Sequence, residues 1–531
     1  MLKLSRLMIL ILGLFIGSPG WAQDAVDRPS DIVIDGVLDG SAGATVFDIP
    51  FEVPAGVRSV RVRFVFDRQA GASVWLGLYD PDRFRGWGGG VKRDFTVAEA
   101  FATPSFNPGR IPPGRWRIAV TVPQIRPDAQ VPYRVRIDLG QETDASADAF
   151  STMPLAATPG WYRGDLHTHT GHSDAACRSL GGRSTPCPLF LTLQQAAERH
   201  LDFISITDHN VTSHFAPMGE LAAYFDTLVL LPSREITTTL GHANLIGSMD
   251  PLETDLGRPQ AETANRLLAA AHATGGFLSL NHPALASGPD CVGCGWTAAD
   301  TDFTLLDGIE VVNGGTIAEL PAGPEAGAAY HLAYWQDLLS RGYRLTGIAG
   351  SDNHDAVQHL EADPPIGPQS PVGRPTTVVH AQELSQAGIL AGLRAGRVFI
   401  DLGDQPGRLL DLSVRSGTQV ALMGETLTHN LANAALPFEA SLTVQGVPMG
   451  AVTLLIDGQP TPAPVVLAAT EAQQKIVITG QANPAARWIR ADVHDSQGRL
   501  ILVGNPVYLN QHRLAATARD STPATLSAAK P

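Results

Sequence analysis

From residue 161 to about 402, short apolar runs alternate with helical segments, and no other feature limits the fold so strongly. "LTLQQAAERHL" has helical spacing and leads into the buried strand "DFISITDHN". "PQAETANRLLAAAHATGG" is a helix with a glycine stop before the strand "FLSLNHP". "YHLAYWQDLLSRGY" is a helix before the strand "RLTGIAGSDNH". Such alternation argues for a parallel sheet or an α/β barrel.

The flanks follow a different period. Residues 23–150 hold no histidine, and "SVRVRFVFD", "VWLGLYD", "RWRIAVTV" and "YRVRIDL" alternate apolar and polar residues at period two. They predict half-buried strands of an N-terminal β-sandwich. "ETDASADAFSTMPLAATPG", Glu142 to Gly160, is a small-residue linker. Period two returns in "LLDLSVRSG", "FEASLTVQG" and "AVTLLIDG", which predicts a C-terminal β-sandwich over 403–510. Residues 511–531 are small and polar, and a disordered tail is expected there.

A chain of 531 residues, 44% hydrophobic and 17% charged, has the material for two to four domains with sizeable cores. Its net charge of −14 would repel a phosphate backbone, so no nucleic-acid partner is expected. Residues 1–22 have the form of a signal peptide. Lys3 and Arg6 precede the apolar run Leu7–Gly17, and "GWA" places small residues at a cleavage point after Ala22. The run is too short to span a bilayer comfortably. The expectation is a periplasmic or secreted protein without stable membrane insertion. In such a compartment Cys177, Cys187, Cys291 and Cys294 predict disulfides, most simply 177–187 and 291–294. The alternative for "CVGC" is a redox or zinc motif.

Thirteen of the 16 histidines fall between residues 161 and 402. Several stand where strands end: "DLHTH", "ITDHN", "SREITTTLGHANLIG", "LSLNHP" and "GSDNH". Sites in α/β sheets form at the C-terminal strand ends, where the following loops converge. Residues i and i+2 of a strand share a face about 7 Å apart, so His167 and His169 can grip one ion. Asp352 and His354 repeat the spacing. Mixed imidazole and carboxylate donors suit Zn²⁺, Mn²⁺ or Fe²⁺ better than Ca²⁺ or Mg²⁺.

In this order, "GDLHTHTGHSD", "ISITDHN", "E…GH", "NHP" and "GSDNH" resemble the PHP (polymerase and histidinol phosphatase) superfamily. The exported build with β flanks is more similar to its CehA/McbA branch. The resemblance covers residues 160–402 and implies a distorted (β/α)7 PHP-type barrel holding two or three divalent ions. Motif by motif it implies nine ligands: His167, His169, Asp174, His209, Glu235, His242, His282, Asp352 and His354. With Glu235 bridging, one division puts His167, His169, Glu235 and Asp352 on one ion. Glu235, His242 and His282 would hold a second, and Asp174, His209 and His354 a third.

The resemblance favours phosphoester hydrolysis, in which a hydroxide supplied by the cations attacks phosphorus. Arg234 is a candidate to bind the substrate phosphate, the alternative being an ion pair at the barrel rim. Asp208 and Asn210 flank His209 and are expected to orient it. His172, His214 and His359 are candidate general acids, although a rim or surface position is the better-supported reading of each. Residues 161–402 contain no lysine, which favours a singly charged diester over a monoester. The expected substrate is therefore a small organic phosphate ester and the expected activity that of a phosphodiesterase. Two other readings stand beside it: a CehA-type carbamate or carboxylic ester hydrolase, and a non-catalytic metal-dependent binding module.

Overall fold

In the computed structural model the described residues are 30–509 except 44, 90–91, 100, 141–152, 251, 253–260, 286–293, 316–330, 357–368, 404–405, 429–434 and 462. The expected signal segment, the disordered tail, much of the linker, His359 and Cys291 lie outside them. The chain is a multidomain mixed α/β protein.

Strands of the middle region are numbered β1 (Gly160–Asp165), β2 (Phe203–Ile206), β3 (Val229–Thr238), β4 (Gly241–Ile246) and β5 (Phe277–Leu280). They continue as β6 (Gly308–Asn313), β7 (Thr346–Gly350), β8 (Thr376–Ala381) and β9 (Val398–Asp401). The helices between them are α1 (Leu189–Glu198), α2 (Phe215–Leu221), α3 (Ala261–Ala273), α4 (Leu332–Ser340) and α5 (Gln386–Arg394).

The strands pair in the order β7-β6-β5-β4-β3-β2-β1-β8-β9. β1, β2 and β3 run parallel, as do β5, β6 and β7. β4 runs antiparallel to both β3 and β5. The cause is local. Only Thr239 and Leu240 separate β3 from β4, and Gly241 takes a φ of +147°, so the chain turns back as a hairpin where a helix would otherwise intervene.

The segments that follow β1 and β7 meet. Asp352 N donates to His167 O at 2.8 Å and His169 N to Asn353 O at 3.0 Å, with a parallel bridge between Thr168 and Asn353. One apolar core collects Tyr162, Phe203, Leu231, Ile246, Phe277 and Ile348 from six strands of the ring, together with Ile389 and Leu393 of α5. The fully buried runs of β2 and β5 follow from cover on both faces.

Before β1, two four-stranded antiparallel sheets share a core that includes Val60, Leu76, Trp116 and Val135. Phe101 leaves that core and packs with Leu189, Leu193 and Met218 of α1 and α2. After β9 the sequence predicted a β-sandwich over 403–510, and one sheet of that region is continuous with the middle one. Leu500–Gly504 pairs with β9, and Trp488–His494 and Ala451–Ile456 extend the same sheet. The facing antiparallel sheet shares its core with Val378 of β8 and Phe399 of β9. One of the two C-terminal sheets is thus hydrogen-bonded into the sheet of the middle region, and the other faces it.

Candidate metal centre

Three of the expected ligands, His167, His282 and Asp352, stand two residues past the ends of β1, β5 and β7. Thr168 turns toward β2, its Oγ1 donating to Ser205 O at 2.7 Å. The period-two rule then leaves His167 and His169 together on the opposite side. Gly350 makes room for this arrangement: a Cβ there would lie 2.3 Å from the His167 Cβ. His282 and Asp352 hold positive φ angles of 28° and 53°, a region costing roughly 1–3 kcal/mol for a non-glycine residue and concentrated at functional sites.

Glu235 stands at the centre. Its Oε1 lies 3.4 Å from His167 Nε2, 3.2 Å from His242 Nδ1 and 3.6 Å from His282 Nε2. Its Oε2 lies 2.9 Å from His209 Nδ1 and 3.6 Å from His169 Nε2. One carboxylate thus faces two sets of imidazoles, one through each oxygen. In the β3–β4 hairpin Glu235 is opposite Asn244 and Thr237 opposite His242, so Glu235 and His242 share a face of the hairpin. Asp352 Oδ1 lies 3.3 Å from His167 Nε2 and 3.0 Å from His169 Nε2. Further out, the Asp174 carboxylate lies 3.6 Å from His209 Nε2 and 3.5 Å from His354 Nε2.

All nine expected ligands therefore come to one place, with a regrouping. Donor atoms lie within 4.8 Å of one another in four overlapping sets: His169, Asp174, His209 and His354; His167, His169 and Glu235; His167, His282 and Glu310; His209, Glu235 and His242. His169 adjoins the outer residues as well as His167. Glu310 was missed by the sequence reading. It lies on β6, buried, with Oε1 3.0 Å from His167 Nδ1 and Oε2 accepting from His282 N at 2.8 Å. A lone carboxylate inside the apolar strand "GIEVVN" was the available signal, since such a group needs a partner when desolvated.

Several imidazoles have one nitrogen engaged away from the cluster. His167 Nδ1 bonds Glu310, His282 Nδ1 donates to Cys294 O at 2.6 Å, and His354 Nδ1 donates to Asp352 O at 2.8 Å. Each Nε2 is left facing the carboxylates, the usual way a ligating histidine is oriented. Four buried atoms at the centre have no hydrogen-bond partner among the described residues: His167 Nε2, His169 Nδ1, His242 Nε2 and Glu235 Oε2. Each would cost about 1–3 kcal/mol if left so. Buried imidazole and carboxylate groups converging in this way fit divalent cations.

The titrations reflect the crowding. Burial would raise Glu235 and Asp352, but the surrounding histidines hold both carboxyls well below the usual range. Burial would lower His167, yet Asp352, Glu310 and Glu235 carry it well above its usual value. His209 is raised to about 10 against burial by Glu235 and Asp174. Burial, together with His354 and His209, lowers His169 to about 4.

Arg234 does not face the cluster, which corrects its expected role as a phosphate ligand. It follows Ser233 and precedes Glu235 on β3, so it projects to the opposite face. There its guanidinium lies over Phe215 at 5.7 Å and donates to Asp250 O. Asp208 also lies behind the cluster rather than in it. It accepts from Thr170 N at 2.8 Å, Thr170 Oγ1 at 2.6 Å and Ser173 Oγ at 2.6 Å, and pairs with His214 at 3.3 Å. It therefore holds the loop that carries Asp174. Asn210 is tied to Thr237 through both its amide atoms. His214 is fully buried, with Nε2 donating to Ser233 O at 2.9 Å, whereas His172 is partly exposed, 2.9 Å from Ser213 Oγ.

Cys177 and Cys187 are joined in a disulfide. Cys294 is also disulfide-bonded.

No family model matches the sequence, and no curated protein matches it. Among solved structures, the chain is similar to a two-domain protein from Bacteroides vulgatus ATCC 8482 described as containing a predicted PHP-like metal-dependent phosphoesterase. Identity is 17%, the match covers 66% of this chain and 95% of the other, and the TM-score is 0.35. An overlap that low carries no inference about activity, which rests on the site itself.

Proposed function

We propose that this chain is an exported metal-dependent phosphoesterase with a PHP-type barrel, acting on small organic phosphate esters with a preference for diesters. The observation that carries the reading is the convergence of buried imidazoles on both carboxylate oxygens of Glu235, with His167 Nε2 and Glu235 Oε2 left without a hydrogen-bond partner among the described residues. The nine residues expected as ligands would hold two or three ions, Mn²⁺ or Zn²⁺ in the first instance and Fe²⁺ as a further option. When bound, such ions supply a nucleophilic water near neutral pH and offset charge on phosphoryl oxygens.

The chain's own residues set the geometry for this. Glu235 presents one oxygen to each side of the cluster, so it would contribute to both groups of ligands. Glu310 fixes the His167 ring through Nδ1. Asp352 stays ionised beside His167 and His169. The diester preference follows from charge. Residues 161–402 contain no lysine, and Arg234 is turned away behind β3. A monoester with up to two negative charges would find no cationic side chain from these sources.

The test is turnover of bis-p-nitrophenyl phosphate, p-nitrophenyl phosphate and 1-naphthyl carbamate by the Mn²⁺-reconstituted chain. The expected result is a higher kcat/KM on the diester and loss of activity on chelation. A monoester preference above about tenfold would reject the diester assignment. Faster turnover of the carbamate than of either phosphate would move the reaction to carbon.

A further inference from the structure

We propose that the Cys177–Cys187 disulfide is a positioning element for the outer metal-binding group, one that locks the Asp174 turn against the His354 loop. The proposal rests on the metal-centre reading given above.

Asp174 has no strand to hold it. The turn that carries it runs from Thr170 to Ala175, closed by Ala175 N donating to Thr170 O at 3.2 Å. The chain then enters a two-stranded hairpin, Ala176–Arg178 with Ser184–Pro186, that among the described residues pairs with no other sheet. Cys187, just past its second strand, clasps both ends of the turn. Gly171 N donates to Cys187 O at 2.6 Å, and Cys187 N donates to Ala175 O at 2.8 Å. Ala176 N donates to His354 O at 2.8 Å, and Cys177 Sγ lies 3.0 Å from Asp355 O. The disulfide therefore joins the strand touching the His354 loop to the residue that clamps the Asp174 turn.

What surrounds the sulfurs is slight. Their apolar cluster consists of Ala175, Cys177, Cys187 and Ala356, with Leu191 packed against it. Two alanines and a leucine offer little burial free energy to keep a short hairpin in place, since a two-stranded hairpin is marginal by itself. The covalent link supplies the constraint that packing lacks. The inner ligands have no such need, because β3 and β4 and the ends of β1, β5 and β7 carry them.

The test uses the full chain and counts Mn²⁺ bound at equilibrium, with Cys177→Ala/Cys187→Ala compared against Asp174→Ala. The disulfide-free chain should bind its outermost ion about 10–100-fold more weakly, the range for loss of a residue that orients a ligand. The inner ions should keep their wild-type affinity. In the Asp174→Ala background, removing the disulfide should change nothing further, a non-additivity that general loosening of the fold would not produce. Should the double alanine variant fail to fold, Cys177→Val/Cys187→Ala restores apolar volume without the link and is read in the same way. Unchanged affinity at every ion, or an equal loss of inner and outer ions in a folded variant, would overturn the proposal alone. A wild-type chain that binds no Mn²⁺ would overturn the metal-centre reading beneath it.

Discussion

Side chains of His167, Glu235, His242 and His282 are 1–8% exposed and stand on strands or two residues past a strand end. Asp174 and His354 stand on loops, 58% and 19% exposed. His169 and Glu235 reach toward both groups. The inner half inherits its precision from the hydrogen-bond ladders of the sheet. The outer half takes it from loop contacts: Asp208 under Thr170 and Ser173, and a disulfide hairpin beyond. The difference teaches that one cluster can combine a rigid base with a side whose affinity is tuned by residues outside the barrel strands.

The largest effect expected from this contrast is at His167. Replacing it with alanine removes a donor from two of the four sets and should lower activity by more than about 100-fold, beyond the range seen for residues that only orient a ligand. It should also strip most bound metal. Asp174→Ala should cost a single ion and leave the inner ones in place. Metal content by mass spectrometry distinguishes the two, and equal losses would erase the distinction between the halves.

Next in size is Glu310→Gln. The amide keeps the shape of the carboxylate but gives up its charge beside His167 Nδ1, so inner-ion affinity should fall about 10–100-fold. The outer ion should be unaffected, because Glu310 touches none of Asp174, His209 and His354. Competition with a fluorescent chelator measures both.

Protonation sharpens the comparison further. In the metal-free chain His167 and His209 have raised pKa values and hold protons at pH 7, while His169, lowered to about 4, does not. Cations must displace those protons, and His282 is raised as well, so loading should release at least two protons per chain and affinity should rise with pH, toward about 10 where His209 is concerned. Calorimetry in buffers of different ionisation enthalpy counts the protons. Release of none would mean that the histidines are already neutral.

The smallest effect belongs to Arg234→Met. Lying over Phe215 and away from the cluster, Arg234 should contribute to stability, and its loss should leave KM for phosphate esters within about twofold. A large rise in KM with unchanged melting temperature would return it to the substrate.

Much of the centre was legible because strand ends with histidine or carboxylate have few other uses in an apolar setting. Arg234 alternates with Glu235 along β3, so period two turns it to the opposite face despite its adjacency in sequence. Glu310 carried a signal, an acid within an apolar strand, but lies outside every motif that drew attention. The β3–β4 hairpin was less visible, since "REITTTLGHANLI" carries β-branched residues at 236–239 and 246 but none between, and its turn depends on the φ of Gly241. The joined C-terminal sheet was not visible at all. An alternating strand has the same pattern whether its neighbour belongs to its own sandwich or to β9.

The central claim is that this cluster holds divalent ions on both sides of Glu235. Anomalous-difference maps from crystals grown with Mn²⁺ test it most directly. The account predicts peaks beside His167, His242 and His282 on one side and beside Asp174, His209 and His354 on the other, with Glu235 between them. Maps without a peak among these residues, from crystals of active protein, would contradict it.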